Sequence, residues 1–150
     1  MTQCFWIKAR DKLGLLSALM HILCGDETRL ILEGKLEEFN FGNIESYAVG
    51  DDYKCDMGNS VLSLKLTEDN IKQILNQIQP DGKYVKAISH IQIKVKDDVQ
   101  VLIGDNFHNQ CISVGPLVKE EYLVELANKH IISSYETDAE AKAKCPWFKI

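Results

Sequence analysis

The residue types nearest to chemistry lie together in the stretch GDNFHNQCISVGP, which carries Asp105, Asn106, Phe107, His108 and Cys111. Thiol, imidazole and carboxylate are the parts of an activated sulfur nucleophile: the ring takes the proton and the carboxylate orients the ring. Nucleophile and base generally come from distant parts of a chain, whereas His108 and Cys111 sit three apart where a loop meets a strand. Neither a strained turn nor a helix start is evident at Cys111. The plainer reading makes Cys111 a small core residue of the strand, with Asp105, Asn106 and His108 fixing the loop through side-chain hydrogen bonds.

Other site chemistries lack their parts. Zinc wants about four ligands in paired spacing, which His108 with Cys111 does not supply, so no metal or cofactor is expected. Gly42, Gly50, Gly58 and Gly104 stand alone, and neither G-x-x-x-x-G-K nor G-x-G-x-x-G occurs, which excludes nucleotide binding by those motifs. The lysines at 83, 86, 94 and 96 do not make a basic patch with interleaved aromatics, and a net charge of −5 opposes binding to nucleic acid. His21 falls in an apolar helix, where a core histidine is the ordinary role. His130 falls at a helix end, where a protonated ring would favour the dipole. His90 lies on the wet side of a strand and is a secondary candidate for partner contact, beside Asp105 and His108.

These groups need a scaffold, and 150 residues with 45% hydrophobic content suffice for one domain with a sizeable core. The five cysteines are odd in number and scattered, as in a reducing compartment. Lys8, Arg10 and Lys12 precede an apolar run from Leu13 to Cys24, superficially an export signal. Asp11 interrupts the basic part, His21 interrupts the apolar part, no small-x-small site precedes Gly25, and Leu23 spoils a lipoprotein site at Cys24. The expected location is therefore cytoplasmic. A membrane span would take about 20 apolar residues, which the sequence does not offer.

Periodicity gives the elements. Residues 3 to 9 read as a strand. Leu16, Leu19, Met20 and Leu23 have helical spacing with apolar residues on most other faces, which predicts a helix buried nearly all round and stopped at Gly25. Thr28 to Leu32 is a strand, with Gly34 to Phe41 as its partner. Residues 40 to 60 read as a long exposed loop. Ser60 to Leu66 is a strand, and Thr67 caps a helix striped by Ile71, Ile74, Leu75 and Ile78. Ile91, Ile93 and Val95 alternate with polar residues and turn at Asp97-Asp98 into Val99, Val101 and Ile103. Cys111 to Val114 is a short strand, Pro116 opens a third helix with Leu123, Leu126 and Ala127 inward, and Ile131 to Tyr135 is the last strand. Residues 137 to 150 form a charged, alanine-rich tail. The order β-α-β-β-β-α-β-β-β-α-β predicts a single α+β domain, its mainly antiparallel, mixed sheet carrying about three helices.

Charge is unevenly placed. Residues 25 to 60 hold nine acidic and three basic side chains, a net of −6, and the rest of the chain sums to +1. Such an excess steers a cationic partner while aromatic anchors supply affinity, and Phe39, Phe41, Tyr47 and Tyr53 are interspersed there. The plain alternative is a solvated acidic loop with Phe39 and Phe41 in the core.

The stretches KARDKLGLLSALM, SHIQIKV and DNFHNQCISVGP, within a small acidic domain, resemble a group of small bacterial proteins. That profile is similar to the immunity proteins of contact-dependent growth inhibition and other polymorphic toxin systems. The resemblance implies a non-enzymatic, cytosolic protein that binds a basic toxin domain, a nuclease by expectation, and covers its active site. Glu37, Glu38, Glu45, Asp51, Asp52 and Asp56 would be contacts, joined by Tyr47 and Tyr53. Two other functions stay open: a ferredoxin-like small-molecule sensor, from the helix start Asp11-Lys12-Leu13-Gly14-Leu15-Leu16, and a thiol enzyme using Cys111 and His108.

Overall fold

The computed structural model describes residues 4–36, 39–42, 44–47, 60–78, 88–104 and 112–137, with the backbone alone at 47. The elements run β1 (Phe5–Ala9), α1 (Lys12–Leu23), β2 (Thr28–Gly34), β3 (Ser46–Tyr47), β4 (Ser60–Lys65), α2 (Ile71–Ile78), β5 (Ile88–Val95), β6 (Asp98–Ile103), β7 (Ile112–Val114), α3 (Glu120–Asn128) and β8 (Ile132–Thr137). The eight strands form one sheet in the order β3-β4-β2-β5-β6-β7-β1-β8, and every neighbouring pair is antiparallel. This is the α+β domain that the periodicities predict.

Strand alternation sorts the sheet into two faces. Leu62 and Leu64, Leu30 and Leu32, Ile91 and Ile93, Val101 and Ile103, Ile112 and Val114, and Phe5 and Ile7 stand side by side across six strands. They join the buried residues of all three helices in one hydrophobic cluster. Ile31, although buried, is outside that cluster and faces the other way, so the helices lie on a single face of the sheet. Each fully buried Leu or Ile contributes about 1.5–3 kcal/mol.

Helix α1 starts where Asp11, in an extended conformation, accepts a 2.9 Å hydrogen bond from the Gly14 amide. It buries Leu15, Leu16, Leu19, Met20 and Leu23 and leaves Lys12 and His21 exposed. The apolar run that superficially suggests an export signal is thus part of the core in this fold. No helix among the described residues is long and apolar enough to cross a membrane.

Local chemistry moves several boundaries. The third strand is not Gly34 to Phe41: β2 slips register between Glu33 and Gly34, where Gly34 takes φ 156°, and the chain leaves the sheet there. Phe39 and Phe41 then stack at 5.9 Å and pack on the core, and the strand forms later, at Ser46 and Tyr47. Helix α2 begins at Ile71, four residues past the expected cap, because the Asn70 side chain accepts from the Thr67 amide and donates to the Lys65 carbonyl.

The β5–β6 turn is Lys96-Asp97 rather than Asp97-Asp98. Both turn residues have positive φ, 52° and 70°, which matches the twist of a two-residue hairpin. Pro116 lies in a turn closed by Val118 N–H to Gly115 O, and α3 starts only at Glu120. Two residues past the end of that helix His130 takes φ 61°: the His130 and Ile131 amides donate to the Ala127 and Leu126 carbonyls, and the Ile131 carbonyl accepts from the Arg10 and Asp11 amides. The end of α3 therefore braces the start of α1.

Candidate partner-binding surface

The acidic segment enters at one end of the sheet, since β2 and β3 hold the third and first places in its order. Four of its nine carboxylates fall among the described residues. Asp26 and Glu27 are exposed in the turn before β2, and Glu45, also exposed, leads into the edge strand β3. Cross-strand register places them at the same end of the strands: the Lys65 amide donates to the Glu45 carbonyl, and Lys65 lies opposite Arg29. Asp26, Glu27, Arg29, Lys96 and Asp97 line an open hollow there of about 480 Å³.

Each of two of these carboxylates has a lysine nearby. Glu45 Oε2 is 3.7 Å from Lys65 Nζ, and Glu27 Oε2 is 3.8 Å from Lys96 Nζ. Ion pairs this long and exposed are worth about 0–1 kcal/mol, so a partner's guanidinium can replace the lysine at little cost. The fourth carboxylate, Glu33, lies at the far end of β2, buried on the open face, and does not belong to this surface.

Of the residues expected to bind a partner, Glu45 is placed on this surface and Tyr47 by its backbone on edge strand β3. Glu37, Glu38, Asp51, Asp52, Tyr53 and Asp56 lie outside the described residues, as do Asp105, His108 and Cys111. Phe39 and Phe41 belong to the core rather than to an interface.

His90 stands half-buried on the wet face beside Gln92 and Lys94, as its alternation predicts. Opposite it on β2 is Glu33, whose Oε2 is 2.9 Å from His90 Nδ1. The two groups are close but not aligned as a hydrogen bond. The sequence offers one clue to the pair, a glutamate that ends the apolar strand TRLILEG.

No cluster of three or more metal-ligating side chains occurs among the described residues. A second hollow, of about 380 Å³, lies between α1 and α2 and is lined by His21, Glu68, Ile71, Lys72, Leu75 and Asn76. The half-buried Cys24 thiol is raised above its usual range, first by burial and then by the charge of Glu68. That shift favours the thiol over the nucleophilic thiolate.

Comparison with known proteins returns no match to a family model, a curated relative or a solved structure.

Proposed function

We propose that this protein works by stoichiometric binding, as an immunity protein that holds a basic toxin domain, a nuclease, and covers its active site. One observation carries the reading: the net −6 of residues 25–60 against +1 for the rest of the chain. The strand order supports it, because the described part of the segment enters at one end of the sheet. The long, exposed ion pair of Glu27 with Lys96 supports it too, since it leaves that carboxylate open to exchange.

In this reading the net negative charge of residues 25–60 speeds encounter, and affinity comes from the contacts made after docking. Glu37, Glu38, Glu45, Asp51, Asp52 and Asp56 supply the field, with Tyr47 and Tyr53 as anchors. No catalysis by this chain is required, and the partner's inhibition is steric.

The test is to establish whether a basic nuclease domain is encoded beside this gene and to co-express the two, followed by co-purification and a nuclease assay. A one-to-one complex with suppressed nuclease activity is expected. Free toxin that stays active in the presence of excess protein sinks the proposal.

A further inference from the structure

We draw no further inference here: the strongest candidate, the apolar patch that Val99 and Leu102 leave exposed beside Lys94 and Gln92 on the open face of the sheet, carries none because nothing among the described residues shows what covers it.

Discussion

Glu33 and His90 face each other across β2 and β5, with carboxylate oxygen and imidazole nitrogen 2.9 Å apart, on the side of the sheet away from the helices. The glutamate side chain is 9% exposed and the histidine 42%, so a mostly buried carboxylate lies against a partially wet polar neighbour. Removing that neighbour strands the carboxylate. His90→Ala should lower the unfolding free energy by about 1–2 kcal/mol. The double variant with Glu33→Gln should cost less than the sum of the single changes. Urea denaturation of the four proteins measures the coupling, and strict additivity would show that the two groups do not interact.

Asp11 holds the first turn of α1 through its bond to the Gly14 amide, and its own amide docks on the Ile131 carbonyl. Truncating the side chain leaves the backbone contact and removes the cap. Asp11→Ala is expected to destabilise by about 1 kcal/mol and Asp11→Asn by much less. Equal losses in thermal melts would mean that charge at this helix end, rather than the cap, sets the effect.

Tyr135 on β8 donates a 2.8 Å hydrogen bond to Glu120 Oε2 in the first turn of α3. That bond, then burial, then the carboxylate's charge raise the phenol above its ordinary 10.0. The folded value exceeds the unfolded one, so the contribution to stability is fully present below pH 10.0 and is lost as pH rises through the raised value. Tyr135→Phe should cost about 0.5–1 kcal/mol at neutral pH. Above pH 10.0 the wild-type protein should lose stability more steeply than the variant. Parallel alkaline profiles of the two would disprove the contact.

Glu68 contributes to the raised Cys24 thiol, although burial contributes more. Glu68→Gln should therefore bring the thiol part of the way down, and alkylation of Cys24 near neutral pH should speed up modestly. Mass spectrometry of the Cys24 peptide reads this separately from the other four cysteines. An unchanged or slower rate would contradict the electrostatic link.

Much of the fold was legible because period-2 and period-3.6 patterns depend on burial alone. Ile91, Ile93 and Val95 gave β5, and Ile71, Ile74 and Ile78 gave the face of α2. The order of strands and helices also followed, with the third strand displaced from residues 34–41 to Ser46–Tyr47. What escaped was decided by single polar groups. The register slip at Gly34, the Asn70 amide that delays α2 and the turn that takes up Pro116 leave no periodic trace.

Glu45 could be assigned to an exposed acidic region from composition, whereas its neighbour Lys65 follows only from strand pairing. The groove between α1 and α2 was illegible for a related reason. It joins His21 to Glu68 and Lys72 across a helix packing that no short-range pattern encodes.

The central claim is that a concentrated negative field on this chain recruits a cationic protein. Stopped-flow association with a basic nuclease domain of the proposed partner class, followed as salt rises from low to physiological strength, tests it most directly. The on-rate should fall by about tenfold or more, and Glu45→Lys with Asp51→Lys and Asp52→Lys should remove most of that dependence. An association rate indifferent to salt, or unaffected by reversing those three charges, would contradict the account.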